Sequence, residues 1–196
     1  MQPPNPTSPQ LSEENLRELA TARAALRKIG RAVTVARFDG WTLAVFAGLT
    51  FLMAAFDWTN MIVGIGLGAI ACVELYGANR LRRLEPAAIR LLGFNQLTLG
   101  ALLILYALWR IHAESSGGGL LAAATASDPQ AAPLLQSYQG LGQSIVIAFY
   151  GTLIAIAILG MGGMALFYSS RRKYLTAYLG QTPQWIIAMQ KEGISI

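Results

Sequence analysis

The sequence predicts an all-α, polytopic membrane protein: a four-transmembrane-helix bundle with cytoplasmic amphipathic helices at both ends. Three observations carry that expectation. Hydrophobic types make up 54% of the 196 residues and Asp, Glu, Lys and Arg only 13%, about half the usual charged share. Four apolar runs approach the roughly 20 residues that a helix needs to cross a hydrocarbon core ~30 Å thick. Fourteen of the fifteen Lys and Arg fall in three segments that an even number of spans places on one side. Lipid offers an unpaired backbone no partner, and the alternation suited to a barrel is absent, so the spans are expected to be helical.

Taken in order, residues 1–11 form a tail holding four of the eight prolines and no charged side chain, a composition expected to stay unpacked. Over 12–39 a basic amphipathic helix is expected. Ser12 is suited to the cap and Glu13 and Glu14 to the first turn. Leu19, Ala22, Leu26, Ile29, Val33 and Ala36 recur at the spacing of one helix face. That stripe is short for an autonomous coiled coil, which favours packing on a subunit or on the membrane surface. In the latter case Arg23, Arg27, Lys28 and Arg31 reach toward lipid phosphates.

The membrane domain, 40–170, begins with spans at about 41–56 and 61–76, joined through Asp57, Trp58, Thr59 and Asn60. So short a connection forces an antiparallel hairpin. A basic connection follows, with Arg80, Arg82, Arg83 and Arg90, in which Pro86 breaks the helix after Glu85. Its arginines set orientation and can meet anionic head groups. The third span, about 91–111, carries Asn95 and Gln96 near its start and Arg110 near its end; the fourth, about 145–167, has no charge. Between them the loop 112–144 is long enough to be a contact surface. From 171 to 196, Arg171, Arg172 and Lys173 mark the boundary, and Tyr174 and Tyr178 read as interfacial aromatics. Thr182 as cap and Pro183 at the first helical position open a short docking helix with Trp185, Ile186 and Met189 on one side.

Chemistry-bearing residues are few. Glu74 is the deepest acid and the candidate for a proton or cation site, with Asn95 and Gln96 near the same mouth; an arginine of the following loop is its expected partner. Gly64 and Gly68 form a G-x-x-x-G continued by Cys72, and Gly151 and Gly160 make the fourth span similarly indented, which predicts close helix packing. Cys72 reads as a small core residue. One Cys and one His exclude an intrachain disulfide and a Cys/His metal site. Asp57 and Glu74 are read as the acids bordering the first two spans, on opposite faces and thus too far apart for paired acid/base work. No phosphate-binding or dinucleotide pattern appears. Neither cofactor, enzymatic activity nor nucleic-acid binding is expected, the net charge of +5 being accounted for by topology.

The functional expectation is an inner-membrane protein with both termini cytoplasmic. It would be an accessory, scaffold or assembly subunit in contact with the bilayer, anionic head groups, and other subunits or its own copies. The alternative is a small oligomeric channel or transporter with Glu74 near the cytoplasmic mouth.

Overall fold

The computed structural model describes residues 12–53, 58–116 and 139–192, and among these all regular structure is helical. The elements are α1 (Glu13–Met53), α2 (Trp58–Arg82), α3 (Ala87–Ser115), α4 (Gln139–Ile156), a π turn (Ala157–Met161), α5 (Gly162–Gln181) and α6 (Gln184–Lys191). Because α4 runs through the π turn into α5, the described residues make four long helices and one short one. All four long helices are long and apolar enough to cross a membrane. The tail 1–11, Asp57, most of the loop 112–144 and residues 193–196 lie outside the described residues.

The stretch expected to be two elements, an amphipathic helix to 39 and a span from 41, is one helix of 41 residues, about 60 Å long at 1.5 Å per residue. Gly40 does not interrupt it. A Cβ at that position would come within 2.8 Å of the Leu75 side chain, so this glycine serves the close approach of α1 to α2. At the N-terminus the Ser12 hydroxyl accepts from the Asn15 backbone N–H at 3.3 Å, the cap that the sequence indicates.

Two apolar clusters hold the bundle. The larger gathers the stripe of α1 (Ala22, Ile29, Ala32, Ala36) with Leu81, Leu84, Leu92, Tyr168, Leu175, Tyr178, Ile186 and Ile187. It lies at the end of the molecule that carries the arginines, called here the basic end. The smaller joins Leu43 and Ala47 of α1, Leu67, Ile70 and Ala71 of α2 and Leu99 of α3. Leu19, Leu26 and Val33 pack against the larger cluster, so the amphipathic stripe finds its partners within the chain. The C-terminal helix does the same. Ile186 and Ile187 are buried, and Trp185 Nε1 donates to Glu18 Oε2 at 3.3 Å.

The α2–α3 turn shows how sequence and packing settle a helix end. Leu84 has φ 61°, a left-handed conformation usually left to glycine. The Glu85 N–H reaches the Arg80 carbonyl and the Leu84 N–H the Leu81 carbonyl, at 3.1 and 3.0 Å, which is the Schellman pattern. The strain, ~1–2 kcal/mol for a residue with a Cβ, is offset because the Leu84 side chain is buried in the main cluster. Pro86 then closes the turn and α3 starts at Ala87. At the other turn, Pro183 occupies the cap of α6, one position later than the expected Thr182 cap.

Candidate functional site: a buried carboxylate cluster

Four helices each place a polar side chain at the same level, between the two apolar clusters. Glu74 comes from α2, Asn95 and Gln96 from α3, Tyr168 from α5 and Asp39 from α1. Glu74, Gln96 and Tyr168 are 0% exposed and Asn95 5%; Asp39 is half-buried. Adjacent positions on a helix diverge by about 100°, so Asn95 and Gln96 meet different neighbours around α3.

The hydrogen bonds fix the orientation of both amides. Asn95 Nδ2 donates to Glu74 Oε2 at 2.6 Å and to the Ile70 carbonyl at 3.0 Å. Gln96 Nε2 donates to Glu74 Oε1 at 3.2 Å and to Asp39 Oδ2. Tyr168 donates its hydroxyl to Glu74 Oε1 at 2.9 Å. Each amide nitrogen carries two protons, and in both residues both are used. Gln96 thus bridges two carboxylates. Its Oε1 is buried without a partner.

A carboxylate deep in a protein normally finds a cation or several donors, since isolated burial of the charge is costly. Among the described residues neither Glu74 nor Asp39 lies within ion-pair distance of Lys, Arg or His. Three neutral donors from two other helices take that role for Glu74. The expected pairing with an arginine of the following loop is not formed: the first of them, Arg80, donates from Nε to Glu85 Oε2 across the α2–α3 turn.

The structure therefore brings Glu74, Asn95 and Gln96 together and adds Asp39 and Tyr168, which sequence reasoning missed. Asp39 also corrects the reading of Asp57 and Glu74 as the acids bordering the first two spans. A third acid stands beside the first span and shares an amide with Glu74. The signal was available, because the α1 stripe continued past Ala36 reaches 39 and 40. Tyr168 carries no signal in the sequence beyond its place at the end of the fourth apolar run, and Tyr178 reads there, with Tyr174, as an interfacial aromatic. Tyr178 is buried in the main cluster instead, with its hydroxyl donated to Gln190 Oε1 at 2.9 Å.

The other singled-out residues lie apart from this cluster. A Cβ at Gly64 would meet the Phe51 backbone nitrogen at 3.3 Å, and one at Gly68 the Ala47 Cβ at 3.9 Å. At Gly151 and Gly160 it would meet nothing within 4 Å. Closer packing occurs at Gly77, against Leu92, and at Gly100, against Met161. Cys72, expected in the core, is exposed, because it lies off the helix face on which Ala71 and Glu74 are buried. Arg23, Arg27 and Arg31 are exposed along α1, as are Arg82, Arg83, Arg172 and Lys173. Lys28 Nζ and the Arg171 guanidinium both approach the Tyr174 ring, at 4.4 and 5.7 Å from its centre. Arg171 also stacks on Phe167 at 4.4 Å.

No group of three or more His, Cys, Asp or Glu able to hold a metal ion forms among the described residues. No protein-family model, curated protein or solved structure matches the chain.

Proposed function

We propose that the protein is an accessory or scaffold subunit of an inner-membrane assembly, with both termini and the basic end in the cytoplasm, working through contacts rather than catalysis. What supports this reading above all is the basic end itself. There α1 and α5 continue past the apolar spans and α6 closes over them, with Ile186 and Ile187 buried. A chain that only needed to sit in lipid would have no use for a second packed core outside it. The surface of that end offers a mixed cleft of about 600 Å³ between α1 and the α5–α6 corner, lined by Arg17, Glu18, Lys28, Tyr174 and Gln181 among others. In this reading the carboxylate cluster is a lock. Buried polar groups satisfied across helices fix register and orientation.

Gentle extraction from the native membrane, followed by the mass and composition of the complex, tests the reading. The expected result is a stoichiometric foreign subunit, released by the paired cleft variant Arg17→Glu and Lys28→Glu. Deleting 12–38 is not an equivalent test, because that segment supplies Ala22, Ile29, Ala32 and Ala36 to the main core. A pure homo-oligomer unaffected by the cleft variant would overturn it.

One observation favours a second reading, a small channel or transporter. Two carboxylates and the unpartnered Gln96 Oε1 lie within one polar cluster crossed by all the long helices, and intramembrane acids commonly mark proton or ion paths. Loss of ion flux in Glu74→Gln reconstituted vesicles, with folding intact, would select it.

A further inference from the structure

A second feature lies on the outer surface of the bundle. Between α3 and the π turn with α5 runs a laterally open groove of about 790 Å³. Its floor includes Gly93 on α3 and Gly162 and Gly163 at the start of α5. A Cβ at Gly162 or Gly163 would meet no atom within 4 Å, and one at Gly93 would first meet the Ala165 carbonyl at 3.8 Å. The π turn contributes because its wider ring shifts the helical phase of α5 relative to α4. Large apolar side chains form the walls: Phe94, Leu97, Leu159 and Leu166 are 71%, 53%, 77% and 72% exposed.

The two ends of the groove differ. Toward Leu97 and Ile158 its lining is apolar, whereas at the basic end it is closed by Arg90 of α3 and by Ser169 and Arg172 of α5. Arg90 and Arg172 are exposed, and among the described residues neither has an ion-pair or hydrogen-bond partner. Along the π turn and α5 the lining spans Ile158 to Arg172, about 20 Å of helix, enough to run the ~15 Å of one leaflet of a hydrocarbon core ~30 Å thick and reach its head groups.

We propose that this groove is a binding site for one anionic phospholipid, with an acyl chain along Gly162, Gly163 and Phe94 and the phosphate at Arg90 and Arg172. The groove is apolar where a lipid is apolar and doubly cationic where a lipid carries its phosphate. Basic pockets between spans at the head-group level bind anionic lipids for this reason. The proposal stands apart from the scaffold reading and needs no partner protein.

The test uses the full chain in mild non-ionic detergent, with bound lipid counted by native mass spectrometry against phosphatidylglycerol and phosphatidylcholine. The expected result is one retained phosphatidylglycerol, preferred by about twenty-five-fold, from about fivefold per arginine near an anionic head group. Arg90→Gln with Arg172→Gln should abolish the preference, while Arg82→Gln with Lys173→Gln, an equal charge change off the groove, should leave it. Gly163→Leu should reduce retention of both lipids; if it fails to fold, the arginine pair decides alone. Equal preference in both double variants would overturn the proposal. So would binding of glycerol phosphate as tightly as the lipid, or cross-linking of Gly163→Cys in native membranes to another protein instead of to a photoreactive lipid.

Discussion

At the basic end, Leu81, Leu92, Tyr168, Leu175 and Ile186 are 0% exposed, and side chains from α1, α2, α3, α5 and α6 meet in one cluster. Along α4 and its junction with α5 the opposite holds. Only 6% of the most apolar window of that helix is buried inside the chain, and Ile145, Phe149, Ile156 and Leu159 face outward. Both regions are rich in large hydrophobics, so hydropathy alone does not separate them. The difference lies in the solvent each region implies. In the topology proposed above, the α1 stripe stands in water and must find another apolar stripe, whereas α4 stands in lipid, gains little by doing so and is left uncovered.

Paired substitutions turn that contrast into measurements. The largest expected effect is Leu92→Ala, which opens a cavity in the main cluster and should lower the unfolding free energy in mixed micelles by ~2–5 kcal/mol. Leu159→Ala, the same kind of truncation on the outward face, should stay within about 0.5 kcal/mol. Equal losses at both sites would erase the distinction. Next, Gly77→Val drives a side chain into Leu92, whose Cδ2 lies 2.7 Å from the position of a Cβ there. It should cost ~1–3 kcal/mol, whereas Gly151→Ala should stabilise α4 by up to ~1 kcal/mol by helix propensity. At the boundary between the two regions, Tyr168→Phe removes one donor from Glu74 and should cost ~0.5–1.5 kcal/mol in the same unfolding assay. The smallest effect belongs to Trp185→Phe. It deletes the exposed bond to Glu18 while keeping an aromatic ring there, and should change the unfolding free energy by no more than about 0.5 kcal/mol.

The long-range grouping of polar residues was partly legible in the sequence. Glu74, Asn95 and Gln96 stood out because an ionisable or amide side chain in an apolar run is expensive and must find a partner. The partner itself was misread. Proximity in sequence pointed to the arginines after Glu74, but Arg80 is held by Glu85 in the Schellman turn, and the helix directs Glu74 toward α3 and α5. Asp39 escaped notice because it follows Arg37 on a segment read as extramembrane, and the helix was ended there. Only the unbroken continuation of α1 carries that acid to the level of Gln96. The stripe on α1 was legible by its spacing; what covers it was not, since Leu81, Leu175, Tyr178 and Ile186 lie some 45 to 160 residues away and periodicity says nothing of distant partners. The G-x-x-x-G motif likewise located Gly64 but gave no hint of Gly40 and Gly77, the two positions where a Cβ would meet a neighbouring side chain most closely.

The docking of α6 onto α1 also sets an order of events during synthesis. Ala22 and Ile29 emerge early, and Ile186 and Ile187, which share their cluster, come about 160 residues later. At about 5–20 residues per second that interval is on the order of ten seconds or more. During it Ala32 and Ala36 can already meet Leu81 and Leu84, but the part of the α1 stripe that shares its cluster with α6 stays open. The basic end is therefore completed after the membrane hairpin, and a nascent chain stalled before α6 presents a sticky, positively charged helix that holdase chaperones or the bilayer surface would have to shelter.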